Sequence, residues 1–204
     1  MTTPWTIPAE LWVGETVAIL GAGPDMTAAL AETACGHKTI AVNRAVKFAP
    51  WADMFVALDP HHPFWEEADN LGFKGLRICG VESDLDALYP GMMYETVQIG
   101  DGHTIQIRNN ALAAIRIAAL SGAAKIILLG FDPERYEEVH AHTGFFGLVQ
   151  GLEQIINELR GQGIEIERVD TSAQFPGTRP PRRGEQAVAE TIDPATFPEQ
   201  KRKG

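Results

Sequence analysis

Positive charge is what this chain is shortest of. Lys and Arg number 17 against 27 Asp and Glu, a formal net charge of −10. Surfaces that track a nucleic-acid backbone need basic patches, so a nucleic-acid partner is not expected, and only a local basic pocket remains open. Cysteine is scarce too, with Cys35 and Cys79 the two in the chain. Neither falls in a CxxC pair or a zinc-ligand spacing. The expectation is buried free thiols in a reducing, cytoplasmic compartment. No apolar run approaches the roughly 18 residues that a membrane-crossing helix needs. The opening MTTPWTIPAE has no basic region leading into an apolar stretch, so no secretory signal is expected. No internal repeat is present. A G-x-x-x-x-G-K-[ST] loop is absent, which excludes a P-loop kinase or ATPase.

What is present is a core-forming chain of 204 residues, 45% of them hydrophobic, the size of one large domain or a domain with a tail. Apolar strand patterns alternate with helical ones. Thr16 to Leu20 reads as a short buried strand, and a glycine turn then leads into a helix stopping at Gly36. KTIAVN, DMFVALD, GLRICG, KIILLGFD and IEIERVD read as further strands. RAVKFAP supplies one or two helical turns, and PHHPFWEEADN a loop with a short helix. ETVQIGDGHTIQIRN reads as a hairpin turning at Asp101-Gly102. The alanine-rich stretch from Ala111 to Leu120 reads as a buried helix. Leu148 to Arg160 carries Leu148, Leu152, Ile155, Ile156 and Leu159 on one side of another. Continuously apolar strands are buried on both faces, so the pattern implies a doubly wound α/β domain with a mostly parallel sheet, the hairpin being an insertion or an antiparallel edge. That domain is expected over residues 1–176. Residues 177–204 are proline-rich and charged, a tail or an arm laid over another subunit, as in a homo-oligomer.

Sheets of this kind bind ligands beyond the carboxyl ends of their strands. Those ends are polar here: Gly21 to Asp25, Asn43-Arg44, Asp59 with His61 and His62 behind it, Phe131-Asp132, and Asp170-Thr171-Ser172. The first carries the sharpest question. VAILGAGPDM places Gly21 and Gly23 after an apolar strand, but Met26 stands where a dinucleotide fingerprint has its third glycine. Asn43, not an acid, ends the next strand. An ordinary NAD site therefore fails at both points. Two readings remain for Gly21, Gly23 and Pro24. One is a phosphate or diphosphate held at a helix N-terminus, with Pro24 in the first turn. The other is a tight strand-to-helix corner capped by Asp25. Asp25 can also hold a ribose hydroxyl or a metal.

Asn109 and Asn110 open the alanine-rich helix, where their amides either cap it or reach a base or sugar hydroxyl. FDPERYEEVHAHTGFFG gathers Asp132, His140 and His142. A histidine there can take a proton from a hydroxyl nucleophile near neutral pH. Surface histidines and a metal site are the other readings. Asp59 and Asp132, at strand ends, are candidate oxygen ligands for Mg²⁺. Phe64 and Trp65 read as core or lid packing.

In order along the chain, ILGAGPDM, KTIAVNRAVKFAPWADMFVALD, RNNALAAIRIAALSGAAKIILLGFD and a histidine-bearing segment before GIEIERVDTSAQFPG resemble a bacterial and phage family of Rossmann-like proteins. That family is similar to the archaeal 6-hydroxymethyl-dihydropterin diphosphokinase-like domain and, more distantly, to bacterial CMP-sugar-dependent sialyltransferases. The resemblance spans roughly Val17 to Gly177. It implies nucleotide contact at Gly21, Gly23, Pro24, Asn43 and Asn109, and a base at His140 or His142. Where the family has G-x-G-P-S-L and N-S-G, this chain has Asp25-Met26 and NNA. The function implied is nucleotide-dependent transfer of a phosphoryl or diphosphoryl group from ATP, with Mg²⁺, to a small-molecule hydroxyl. The alternatives are sugar transfer from a CMP-sugar to a glycan acceptor, or non-catalytic nucleotide binding or sequestration.

Overall fold

The computed structural model describes residues 6–7, 10–59, 62–79, 81–82, 95–99, 103–107, 109–132 and 148–169. All of them fall in one unit, Met1–Thr171. The boundary expected at residue 177 and the tail beyond it lie outside the described residues. In chain order the strands are β1 (Thr6–Ile7), β2 (Thr16–Leu20), β3 (Lys38–Val42), β4 (Met54–Val56), β5 (Leu76–Ile78), β6 (Val81–Glu82), β7 (Glu95–Ile99), β8 (His103–Ile107), β9 (Lys125–Leu129) and β10 (Glu165–Arg168). The helices are α1 (Ala28–Glu32), α2 (Phe64–Asn70), α3 (Asn110–Leu120) and α4 (Leu148–Gly161), with a 3-10 turn at Asn43–Lys47.

The main sheet has six strands in the order β10-β9-β2-β3-β4-β5, and every pairing in it is parallel. From β2 the chain steps outward through β3 and β4 to β5. It then returns to lay β9 and β10 on the other side of β2. The direction of winding therefore reverses between β2 and β9. The expected hairpin forms, with β7 and β8 antiparallel and Ile99 opposite His103. It belongs to a separate small sheet, where β7 also pairs β6 and, in parallel, β1. It is thus an insertion and not an edge of the main sheet.

Alternation along the strands explains why both sheet faces are covered. Val17 and Ile19 point to one side, where they join Ile40, Val42, Ile126 and Leu128 beneath Ala113 to Ala118 of α3 and Leu152, Ile155, Ile156 and Leu159 of α4. Ala18 and Leu20 point to the other, with Ala41, Phe55, Ala57 and Leu129 against Leu30 and Ala31 of α1, Ala45 and Val46 of the 3-10 turn, and Ala68 of α2. The central strands β2 and β9 are therefore apolar from their second residue on, and β4 is apolar throughout, as burial on two faces requires. The second layer is built largely from alanine, which lets its short helices lie close to the sheet. Its bulk comes from Phe55, fully buried, which meets the edges of Trp65 (4.9 Å between ring centroids) and Phe73 (5.9 Å). Phe64 and Trp65 pack against this layer, as expected.

Local chemistry corrects the sequence reading at the end of α1 and at the thiols. Helix α1 ends at Glu32, short of Gly36, where the Thr33 hydroxyl donates back to the Leu30 carbonyl at 2.6 Å, a bond that competes with helix continuation. The one or two helical turns expected after β3 form as a 3-10 helix at Asn43–Lys47. Cys35 is exposed and Cys79, whose Sγ–H donates to the Leu58 carbonyl at 3.6 Å, is half-buried, so the thiols are not both buried.

Helices α3 and α4 are tied at their solvent side by a bidentate pair, Arg116 Nη1 and Nη2 donating to Glu158 at 2.6 and 2.7 Å. These hydrogen bonds hold the Glu158 carboxyl below its ordinary value of 4.5, against the opposing effect of desolvation. A lowered carboxyl value means a contribution fully present above 4.5 and lost as pH falls through the lowered value. E158Q is expected to cost roughly 0.5–1 kcal/mol at pH 7, since the pair is partly exposed. Denaturant unfolding of both proteins from pH 7 down to pH 3 measures this, and the gap between them should close at the acid end.

Candidate functional site

The parallel register brings the strand ends level. Leu20 pairs with both Leu129 and Ala41, and Val42 with Val56. The chain therefore leaves β9, β2, β3 and β4 along one edge, at Gly130, Gly21, Asn43 and Ala57. Around this edge the side chains and turns are joined by hydrogen bonds into a rim.

The rim begins where β2 and β9 diverge. The Gly21 amide donates to the Leu129 carbonyl at 2.8 Å, and the Gly23 amide to the Gly130 carbonyl at 3.2 Å. The two turns lie so close that a Cβ on Gly21 would stand 2.7 Å from the Gly130 carbonyl oxygen, and one on Gly23 would collide with the same atom. Gly130 itself has a φ of +68°, a conformation glycine reaches without steric cost. It ends β9 three residues before the expected strand does. The Met26 amide donates to the Gly23 carbonyl at 3.1 Å. The amides of Gly21, Gly23 and Met26 are therefore engaged within the protein.

This geometry alters the sequence reading of the turn. Pro24 is an exposed turn residue ahead of α1 and does not occupy its first turn. The cap is Thr27, whose hydroxyl accepts from the Leu30 amide at 3.2 Å, and not Asp25. Asp25 lies half-buried in the turn itself. Helix α1, Ala28–Glu32, is little more than one turn long and develops little macrodipole of its own.

At the end of β3 the backbone turns through Asn43, φ +51°, a left-handed conformation that asparagine tolerates better than most side chains. Asn43 Oδ1 accepts from Asn110 Nδ2 at 2.9 Å, and Asn110 Oδ1 accepts from the Leu58 amide at 2.9 Å. Asn110 thus links the ends of β3 and β4 to the start of α3. Its neighbour Asn109 caps that helix, accepting from the Ala111 amide at 2.8 Å and the Leu112 amide at 3.4 Å. Next in the chain, Arg44 Nη2 donates to the Gly23 carbonyl at 2.7 Å, joining the β3 end to the glycine turn. On the far side, Arg168 of β10 donates to the Phe131 carbonyl at 3.0 Å.

Beyond β4 the Asp59 carbonyl accepts from the Trp65 indole at 2.9 Å and from the His62 amide at 3.2 Å. His62 is held by its neighbours: its Nδ1 accepts from the Phe64 amide at 3.4 Å, and its ring stacks on Phe64 at 4.0 Å. Asp132 follows Phe131, half-buried at the end of β9. The sheet does not set Asp59 and Asp132 side by side, because β4 and β9 are three strand spacings apart, roughly 14 Å. Among the described residues no cluster of three or more His, Cys, Asp or Glu side chains forms a metal cage. His61, His140, His142 and Asp170 lie outside the described residues.

Two participants were not placed in the site from the sequence. Gly130 carries a signal, a glycine directly after an apolar strand, although its contact with Gly21 and Gly23 is long-range. Arg44 was visible at a strand end, but its bond to Gly23 was not. Comparisons with protein-family models, curated proteins and solved structures find no match to this chain.

Two substitutions separate packing from binding in this rim. G23A should destabilise the fold by about 1–3 kcal/mol, the range for overpacking a tight site, because its methyl group must displace the Gly130 carbonyl. N110A should cost about 1–3 kcal/mol, since it leaves the buried Leu58 amide without its acceptor. Chemical denaturation monitored by tryptophan fluorescence reads both values, and unchanged midpoints would show that the rim bonds contribute nothing to the fold.

Proposed function

We propose that this chain is a nucleotide-dependent transferase. It holds a nucleotide along the carboxyl edge of the main sheet and passes a phosphoryl or diphosphoryl group to the hydroxyl of a small molecule. The observation that supports this most is the reversal of winding between β2 and β9, with Asp25, Asn43, Arg44, Asn110 and Asp132 gathered on the strand ends around it. Open parallel sheets bind their ligands in the crevice at such a reversal. The resemblance to the pterin diphosphokinase-like domain points the same way.

In the diphosphoryl version the acceptor oxygen attacks the β-phosphorus of ATP. A bond forms there, the bond from that phosphorus to the α–β bridging oxygen breaks, and AMP leaves. The hydroxyl proton passes to a base, the role assigned by resemblance to His140 or His142. Because the reacting group carries most of the charge itself, the protein contributes chiefly position and electrostatic stabilisation. Asp59 or Asp132, on separate strand ends, would supply a carboxylate to Mg²⁺, which takes one or two carboxylates and completes its shell with water and substrate phosphate. When bound, the ion neutralises charge on the phosphates. The sequence-wide acidity favours a small-molecule acceptor over a nucleic acid.

The test is turnover of ATP with a panel of small hydroxyl acceptors, pterin alcohols among them, scored for AMP and ADP. Acceptor-dependent AMP or ADP release that EDTA abolishes is the expected result. Replacing the histidine that serves as base with alanine should lower the rate about 10²–10⁴-fold and leave nucleotide affinity nearly unchanged. Release of CMP from a CMP-sugar in the presence of EDTA, with no reaction of ATP, would replace this reading with sugar transfer.

A further inference from the structure

Among the described basic side chains, Lys38, Lys47, Arg77, Arg116 and Lys125 each stand beside a carboxylate. The exposed Lys74 and Arg160 pair with no described carboxylate, and neither does Arg44. It is half-buried at the carboxyl end of β3 and forms no ion pair with any described residue. Its guanidinium makes one hydrogen bond, from Nη2 to the Gly23 carbonyl. Its Nε is buried without a hydrogen-bond partner among the described residues. Burying a donor of a charged group unmade is costly, and so few such groups occur in folded proteins that each calls for a cause. In a chain carrying ten more acids than bases by formal charge, an arginine without an acid at the ligand edge of the sheet is the more unusual.

The surroundings narrow what would complete it. The amides of Gly21, Gly23 and Met26 are already bonded, so the glycine turn does not offer them to an anion. Asn43, the residue before Arg44, has its oxygen occupied by Asn110, while its Nδ2 donates to no described residue. A guanidinium fork and an amide donor, adjacent in sequence and held at the sheet edge by Gly23 and Asn110, form a donor set without an acceptor. Arginine matches phosphate oxygens two at a time and stays charged at any working pH.

We propose that Arg44, with Asn43 beside it, is the phosphate-binding element of this site. It takes over the role that backbone amides of a glycine loop play in other doubly wound sheets. The ligand is a nucleotide phosphate, which reaches Arg44 either as the 5′-phosphate chain or as a phosphate on the ribose. The second source has a structural reason: the end of this strand faces the ribose in dinucleotide sites, where a nearby arginine accommodates a 2′-phosphate. The proposal rests on the nucleotide reading of the same edge but names the group that supplies the charge.

Calorimetric titration of wild type, R44Q and R44K with ATP, adenosine 2′,5′-bisphosphate, adenosine 3′,5′-bisphosphate, adenosine and inorganic diphosphate tests it. Melting curves accompany the titrations, and R44Q retains a donor for the Gly23 carbonyl. R44Q is expected to weaken at least one phosphate-bearing probe roughly 10- to 100-fold. R44K should weaken it less, and adenosine should be unaffected by either change. Loss confined to the bisphosphates places the ribose phosphate on Arg44, and equal loss with ATP and diphosphate places the 5′ chain there. Wild-type binding of nucleotide that R44Q and R44K leave unchanged overturns the proposal while the nucleotide reading stands. Arg44-dependent binding of diphosphate without any nucleotide binding keeps the anion site and removes the nucleotide reading. No binding of any phosphate probe by the folded wild type overturns both.

Discussion

One carbonyl oxygen, that of Gly130, sets the geometry of the carboxyl edge of the main sheet. The turn after β2 lies against it so tightly that residues 21 and 23 have no room for a Cβ. This contact is made at the reversal of winding between β2 and β9, the place where open parallel sheets bind their ligands. It fixes the path of the glycine turn, and with it the Gly23 carbonyl on which Arg44 rests. A second tie, through Asn110, holds the ends of β3 and β4. Together the two ties turn separate strand ends into one rim, supported by helices on both sides of the sheet.

That constraint has a chemical consequence. A glycine loop that presents its amides to a phosphate must leave them unbonded, and here the amides of Gly21, Gly23 and Met26 are bonded inward. The glycines permit a backbone-to-backbone approach more than an approach to a ligand. Polar capacity at the edge has moved to side chains: Asn43, Arg44, Asp25, Asp59 and Asp132. Positive charge is sparse in this chain, so its placement matters more than its amount. The amino edge of the sheet shows the opposite arrangement, with Lys38 beside Asp53 and Lys125 between Glu165 and Glu167, each base matched by acid. Hydrogen bonds that it donates to those two glutamates push the Lys125 ammonium up to about 12, so it stays charged and paired through the whole physiological range.

The parts of this fold that follow from local pattern were legible in the sequence. The central strands are apolar on both faces, the two hairpin strands form where the alternation places them although Asp101-Gly102 between them lies outside the described residues, and Asn109 stands where a helix cap belongs. The parts that depend on distant contacts were not. Gly21 and Gly23 read as a phosphate cradle or as a corner until Gly130 is seen against them. Asp25 and Thr27 are both good cap residues, and only the start of α1 at Ala28 decides between them. Asn110 reads as a second cap, yet its partners Asn43 and Leu58 come from two other strands. β1 and β6 are two residues long, too short for any periodicity to register. Arg44 reads as one of several polar residues at strand ends, and what distinguishes it is a half-buried guanidinium without a described carboxylate beside it, which sequence spacing does not encode.

The central claim is that the carboxyl edge, and not any other surface, receives the ligand. Amide-resolved NMR of the isotopically labelled protein, titrated with ATP and Mg²⁺, tests it most directly. The account predicts shift changes concentrated at Ala22 to Asp25, Asn43-Arg44, Ala57 to Asp59, Asn109-Asn110 and Gly130 to Asp132. Changes centred on Lys38, Asp53, Lys125 and Glu165 at the opposite edge, or a spectrum unmoved at millimolar nucleotide, would contradict it.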